Sequence, residues 1–250
     1  MTQQFFEYGH VETDYLKGRD AKLGEVIDSV GHIYRQVDSD LFASVIHHII
    51  GQQISTKAQA TIWNRFLDEY GNDGAEYATI RPETVASQSI DSLQSLGITY
   101  RKAGYILDFA QQVSDGRFNL ADMREQDDAE IIRQLSALKG IGTWTAEMIM
   151  LFCMQRPNVF AFDDLAIQRG LRMVYHHRRI STELFERYRR RFSPYCSVAS
   201  LYLWAVASGT VPGMRDYAPK SSGKKRFVKA TTHSAQTTPN PMPHATSRGK

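Results

Sequence analysis

Apolar residues recur every three or four positions over most of this chain, a spacing that places them on one face of an α-helix. The clearest stripe is Leu41-Phe42, Val45-Ile46 and Ile49-Ile50, directly after the capping cluster Asp38-Ser39-Asp40. Similar stripes cover residues 58–70, 103–113, 131–138 and 143–154, and others start near residues 163, 181 and 197. No segment sustains the alternation that is typical of a strand. The pattern predicts an all-α fold with nine or ten helices.

The C-terminal region differs in composition from the rest of the chain. Residues 219–250 hold seven of the 30 basic residues and none of the 27 acidic ones, so residues 1–218 carry 23 basic and 27 acidic residues. The region is rich in Ser, Thr and Pro and cannot bury enough apolar surface to offset its chain entropy. We therefore expect one domain at 1–218 and a basic, disordered tail at 219–250. The tail is either a flexible arm that is attracted to phosphates or a solvated end with no specific role.

The composition also excludes several classes of protein. Cys153 and Cys196 are the only cysteines, which excludes a disulfide scaffold and any site built from four cysteines, whether for zinc or for an iron–sulfur cluster. No window holds the eighteen or so apolar residues of a membrane span. The first residues have no basic segment ahead of an apolar run, so a secretory signal is not expected. We therefore expect a cytoplasmic protein.

A glycine-containing loop at residues 138–143, here called the glycine hairpin, is the first candidate for function. Its sequence is Leu138-Lys139-Gly140-Ile141-Gly142-Thr143, and it lies between two predicted helices. Two glycines around an apolar residue allow a tight turn in which Ile141 packs between the helices. The amides then lie beside a helix N-terminus that Thr143 is predicted to cap, which is a favourable place for a phosphate. An ordinary helix–helix loop is the alternative.

Two adjacent carboxylates, Asp163 and Asp164, follow an apolar segment and precede another helical stripe. Capping a helix needs only one of them. The helix predicted at 143–154 would be about 18 Å long, and the eight-residue connector after it spans at most about 28 Å. The chain can therefore return Asp164 to the level of the glycine hairpin.

Four segments of the chain resemble the helix-hairpin-helix DNA glycosylase superfamily, and within it the DNA-3-methyladenine glycosylase II branch. They are 138–146 with Phe162-Asp163-Asp164-Leu165-Ala166-Ile167, then Gly51-Gln52-Gln53-Ile54-Ser55, then Gly97-Ile98-Thr99-Tyr100-Arg101-Lys102-Ala103, and finally Pro194-Tyr195-Cys196-Ser197 through Leu203-Trp204. The resemblance covers about residues 20–210. It implies two helical lobes, a helix-hairpin-helix motif at about 131–154, and an active-site cleft between the lobes.

The resemblance also implies roles in catalysis. Asp164 would be the catalytic carboxylate, and Asp163 would cap or support the helix. Such a carboxylate stabilises the oxocarbenium-like sugar and assists water during hydrolysis of an N-glycosidic bond. Trp144 stands where relatives that cut the DNA backbone carry a Schiff-base lysine, so no lyase activity is expected. Trp144, Trp204 and Met148 would line the base pocket, with Met148 replacing a tyrosine of a related pocket.

DNA contacts follow from the resemblance in the same way. It implies main-chain contacts from Gly140, Ile141, Gly142 and Thr143, a wedge at Gln53 beside Ile54, and phosphate contacts from Arg101 and Lys102. The wedge would fill the space left by a base flipped out of the duplex. No cofactor and no side-chain metal site is expected, although hairpin carbonyls could hold a monovalent cation as relatives do.

The function implied is a monofunctional glycosylase that excises alkylated purines, such as 3-methyladenine and 7-methylguanine, for base-excision repair. Its partner would be double-stranded DNA containing a damaged base. We expect a monomer with no obligate protein partner and no membrane contact, associated with the nucleoid if the protein is bacterial. Two alternatives remain open: a glycosylase for ethenoadenine or for an oxidised or deaminated base, and a non-catalytic helix-hairpin-helix DNA-binding protein.

Overall fold

The computed structural model describes residues 4–38, 40–71 and 80–219, and this part of the chain is helical. β-Structure within it is confined to isolated bridges, Phe5 with Gln36 and Gly71 with Ile80. The all-α prediction is confirmed. The helices belong to one unit, Met1–Pro219. The tail predicted at 219–250 lies, from residue 220 onward, outside the described residues.

Thirteen helices occur in the described part of the chain, more than the nine or ten expected. They are α1 (His10–Arg19), α2 (Ala21–Val30), α3 (Leu41–Gly51), α4 (Thr56–Tyr70), α5 (Pro82–Ala86), α6 (Ile90–Ser95), α7 (Tyr100–Ser114), α8 (Leu120–Met123), α9 (Asp128–Ala137), α10 (Thr143–Phe152), α11 (Leu165–Tyr175), α12 (Thr182–Phe192) and α13 (Cys196–Ala207). None of the helices described here is both long and apolar enough to cross a lipid bilayer.

Side-chain caps start most of the predicted helices. Asp40, Ser55, Asp127 and Ser181 each accept a hydrogen bond from the amide three residues later. These bonds satisfy amides that have no acceptor within the helix. Five helices correspond to no stripe identified in the sequence. Three of them, α5, α6 and α8, have four to six residues, too few for an apolar stripe to be visible. The other two, α1 and α2, have ten residues each and lie ahead of the first identified stripe.

The strongest contacts between helices fall into two groups within this one unit. In the first group α1 packs on α2, α2 packs on α13, and α11 packs on α13. In the second α3 packs on α4, α7 and α10, α5 and α6 pack on α7, and α9 packs on α10. Asp164 begins α11 in the first group, and Trp144 lies on α10 in the second, so a contact between them joins the two groups.

A single glycine allows α11 and α13 to approach closely. A Cβ atom added to Gly170 would lie 2.4 Å from the main-chain oxygen of Leu203. Only a residue without a side chain fits such a contact. Gly170 thereby fixes the distance between α11, which carries Asp164 at its start, and α13, which carries Trp204.

Candidate active site

The glycine hairpin connects α9 to α10 in a tight turn that requires glycine at residue 140. Gly140 has φ +85°, in the left-handed region, and a Cβ atom there would lie 2.4 Å from the Tyr105 ring. Ile141 is buried between the helices, as predicted. Its amide donates to the Leu138 carbonyl at 3.1 Å, so this particular amide is not available to a phosphate.

The start of α10 differs from the prediction. Gly142 is the N-cap, Thr143 is the first helical residue, and no side chain caps the helix. The prediction that Thr143 caps α10 was therefore wrong, because Thr143 is already inside the helix. Gly142 and Thr143 are exposed, and the first amides of any helix lack an acceptor within it. This end of α10 leaves N–H groups available for an anion.

Asp164 lies at the N-terminus of α11 with 6% of its surface exposed. Its Oδ1 atom accepts hydrogen bonds from the amides of Ala166 at 2.9 Å and Ile167 at 2.8 Å. Asp164 is therefore the cap itself. The expectation that Asp163 caps the helix was wrong, because a cap must reach the second and third helical amides and Asp164 occupies that position.

Both predicted pocket tryptophans contact the Asp164 carboxylate. Trp144 Nε1, from α10, donates to Oδ2 at 3.1 Å, and Trp204 Nε1, from α13, donates to Oδ1 at 3.1 Å. Together with the two amides, four N–H donors fix the side chain in one orientation. Oδ1 accepts three of these bonds and Oδ2 only one, which leaves more acceptor capacity on Oδ2. Trp144 is 43% exposed and gives the site an open aromatic surface.

An aromatic layer not found from the sequence supports Trp204. The Phe152 ring stacks on Trp204 with centroids 5.4 Å apart, and the Arg35 guanidinium lies 4.5 Å from the Phe152 centroid. Burial lowers the pKa of Arg35. Phe152 lies eight residues after Trp144 on α10, with Met148 midway, so helical spacing alone could have indicated it. Met148 is buried in the core at 4% exposure.

Glu147 is a second carboxyl group at this site that the sequence analysis missed. It lies on α10, three residues after Trp144, and is partly buried. Its pKa is raised to about 7, first by burial and then by the nearby charges of Asp163 and Asp164. Among the described residues no group of three or more His, Cys, Asp or Glu side chains is arranged to hold a metal ion.

The residues expected to form the wedge lie in the turn between α3 and α4, here called the wedge loop (residues 52–55). Gln53 is exposed and has φ +57°, and Ile54 is 37% exposed. Ser55 caps α4. The side chain of Gln52 donates to the Gly140 carbonyl at 2.7 Å. The structure thus brings the wedge loop and the glycine hairpin into direct contact.

The two basic residues expected to bind phosphates are placed differently. Arg101 is exposed at the start of α7. Lys102 Nζ instead donates to the carbonyls of Ile50 at 2.9 Å and Gln52 at 2.6 Å. The Lys102 ammonium group therefore binds the protein's own main chain at the end of α3.

A large part of the chain matches a known protein family. Residues 46–194, more than half of the chain, match the HhH-GPD superfamily of base excision DNA repair proteins. The chain belongs to this superfamily. The match includes the wedge loop, the glycine hairpin and Asp164, and ends ahead of α13, which carries Trp204.

Relatives within the superfamily point to the branch that the sequence resembles. A putative DNA-3-methyladenine glycosylase of Bacillus subtilis is 28% identical over 171 residues, covering 67% of this chain but 59% of the relative's own length. DNA-3-methyladenine glycosylase 1 of Schizosaccharomyces pombe is 28% identical over 77% of this chain and 85% of its own. The crystal structure of a DNA-3-methyladenine glycosidase from Bacillus halodurans matches with a TM-score of 0.72 at 28% identity, covering 87% of this chain and 97% of that one.

Proposed function

We propose that this protein is a monofunctional DNA glycosylase that hydrolyses the N-glycosidic bond of alkylated purines of the 3-methyladenine and 7-methylguanine type. The observation that carries the proposal is the Asp164 carboxylate, held by one indole N–H group from each of the two helix groups. A protein that only binds DNA gains nothing from a buried carboxylate near a phosphate-binding hairpin. The names of the relatives support the substrate class.

Asp164 acts on the sugar whose bond to the base is broken. Loss of the base develops positive charge on the sugar, and a fixed carboxylate nearby stabilises that charge. Oδ2, which has one protein donor against three on Oδ1, also accepts a hydrogen bond from the attacking water. Because Trp144 has no amine, the reaction ends at an abasic site without a Schiff base.

The glycine hairpin positions the damaged strand. The free amides at Gly142 and Thr143, together with the positive end of the α10 dipole, bind a backbone phosphate. Gln53 and Ile54 enter the duplex when the damaged base leaves it. The partner is double-stranded DNA, on which residues 1–218 act as a monomeric catalytic domain.

The exposed face of Trp144 receives the flipped base. An alkylated purine is cationic or electron-poor, so an aromatic face attracts it by stacking and by cation–π interaction. Alkylation has already weakened the glycosidic bond, so no strong general acid is required. Trp204 contributes the second indole, while Met148 is buried in the core.

The test is release of free base from duplexes containing 7-methylguanine or 3-methyladenine, measured for wild type and for Asp164→Asn. Asparagine keeps an acceptor oxygen for the α11 amides but turns its NH₂ group toward the Trp144 indole N–H. We expect excision to fall by about 100-fold or more, while DNA binding is retained.

Asp163→Asn is the matched control, since Asp163 does not cap α11, and its effect should be much smaller. Absence of release from both lesions by folded wild-type protein would reject the proposed function. Equal excision by wild type and Asp164→Asn would reject the assigned role of the carboxylate. An extended panel with ethenoadenine and oxidised or deaminated bases defines the range of substrates.

A further inference from the structure

The main-chain carbonyls at the C-terminal end of α3 accept hydrogen bonds from a side chain of another helix. The last carbonyls of a helix have no partner within it and are often bonded by the chain that follows. Here the chain leaves α3 through Gln52, at φ −59° and ψ 131°, and then enters the left-handed region at Gln53. Lys102 Nζ, from the first turn of α7, donates to the carbonyls of Ile50 and Gln52. Lys102 thus binds the segment from which the wedge loop extends.

A second bond joins the wedge loop to the glycine hairpin. Gln52 Nε2 donates to the Gly140 carbonyl at 2.7 Å. Gly140 in turn packs against the ring of Tyr105, which lies three residues after Lys102 on the same face of α7. One face of α7 therefore supports both the wedge loop and the glycine hairpin.

The surroundings of Lys102 favour this internal role over a contact with DNA. The side chain is half-buried, and burial lowers its pKa, with a smaller contribution from the neighbouring Arg101 charge. Two of its three N–H bonds already point at main-chain oxygens. Arg101, the next residue along the chain, is exposed and is the better placed of the two for a phosphate.

We propose that Lys102 is a positioning residue for base flipping, which holds the wedge loop at a fixed distance from the phosphate-binding glycine hairpin. The inference rests on the proposed function. A loop fixed before DNA binds does not lose conformational freedom when it enters the duplex. The Gln52–Gly140 hydrogen bond fixes the wedge loop relative to the glycine hairpin. Gln53 therefore enters the duplex at a set distance from the bound phosphate.

The experiment compares two duplexes in single-turnover excision by the full-length protein. In one duplex the 7-methylguanine is paired with cytosine, and in the other it lies in a single-base bulge. Flipping the base out of the bulge costs less free energy because no base pair has to be broken. For Lys102→Met we expect a loss of about 10- to 100-fold on the paired lesion and about threefold or less on the bulge. The dependence of DNA binding on salt should stay as in wild type.

Arg101→Met is the matched control, because it removes a cation from the adjacent, exposed position. If Arg101 contacts a phosphate, this variant loses activity equally on both duplexes. The salt slope, which is the slope of the logarithm of the DNA-binding constant against the logarithm of salt concentration, then falls in magnitude by about one. Lys102→Arg, which keeps a cationic donor, should recover most of the paired-lesion activity. Gln52→Ala breaks the second bond without altering α7 and should show the same selective loss as Lys102→Met.

The outcomes separate the inference from the function on which it rests. Equal losses on both duplexes, with a salt slope reduced by about one, would make Lys102 a phosphate contact and overturn the inference alone. Unchanged excision by Lys102→Met would overturn it as well. If Lys102→Met does not fold, Gln52→Ala decides the question. Equal losses of excision by Gln52→Ala on both duplexes would then overturn the inference. Absence of excision by wild type would reject the proposed function and the inference together.

Discussion

Two carboxyl groups at the site differ because of the groups that surround them. Asp164 has four N–H donors, two from the main chain of α11 and two from indoles. Glu147 is instead partly buried near the charges of Asp163 and Asp164, which raises its pKa to about 7. At the residue scale the site therefore combines one carboxylate surrounded by donors with one carboxyl group that titrates near neutral pH.

The raised pKa of Glu147 predicts a pH-dependent cost to stability. An unfolded glutamate ionises near 4.5, whereas folded Glu147 keeps its proton up to about pH 7. The folded state therefore loses stability as the pH rises between these values. Glu147→Gln, which is neutral throughout, should be more stable than wild type above about pH 7 and equal to it below about pH 4.5.

Thermal unfolding of both proteins across this pH range measures the difference. A difference in Tm that does not change with pH would contradict the assignment of the raised pKa to Glu147. Glu183→Gln serves as the control for replacing a glutamate whose pKa is not raised. Glu183 is exposed, and hydrogen bonds lower its pKa.

At the scale of elements, the contact between α11 and α13 determines the geometry of the site. Gly170 on α11 lies directly against the main chain of Leu203, the residue before Trp204. Trp204 then reaches Asp164 at the start of α11. The spacing of these two helices therefore sets the length of a hydrogen bond in the candidate active site.

Gly170→Ala should force α11 and α13 apart. A Cβ atom 2.4 Å from the Leu203 oxygen cannot be accommodated without movement of the main chain. We expect a loss of about 1–3 kcal/mol in the free energy of unfolding, with reduced excision because the Trp204–Asp164 bond lengthens. Denaturant unfolding and base release measure the two effects.

Gly104→Ala is the matched control within α7. A Cβ atom there meets nothing within 4 Å, so the better helix propensity of alanine should stabilise the protein by about 0.5–1 kcal/mol. Equal effects of the two substitutions would contradict the steric role of Gly170.

At the scale of the whole molecule, the site is assembled between two groups of helices. Trp144 belongs to the group that carries the wedge loop and the glycine hairpin, whereas Asp164 and Trp204 belong to the other group. The hydrogen bond between Trp144 and Asp164 joins the two groups. Under the proposed function, it connects the group that would hold DNA to the group that would carry the catalytic carboxylate.

The composition of the tail predicts that it adds little to the stability of this assembly. Residues 219–250 have few apolar side chains, so a chain that ends at residue 218 should unfold at the same Tm as the full chain. If the basic residues bind phosphates, the shortened chain will also bind DNA more weakly at low salt. A lower Tm for the shortened chain would show that the domain extends beyond residue 218.

Much of the fold could be predicted from sequence because helix starts and apolar stripes are local features. Asp40, Ser55, Asp127 and Ser181 cap their helices through bonds that span three residues. The short helices were missed because four to six residues do not complete a stripe. The start of α10 was mistaken because Thr143 is an acceptable cap by residue type, while the turn placed Gly142 there instead.

The sequence by itself determined the all-α fold, the order of the glycine hairpin and the Asp163-Asp164 pair, and the family, since spacing and motifs carry this information. Only the tertiary structure decided that both indoles donate to Asp164, that Lys102 binds the end of α3, and that Glu147 lies close to Asp163 and Asp164. The indole and lysine bonds join residues 20 to 52 positions apart in the chain. Such contacts depend on how helices pack, and packing is set by side chains throughout the core.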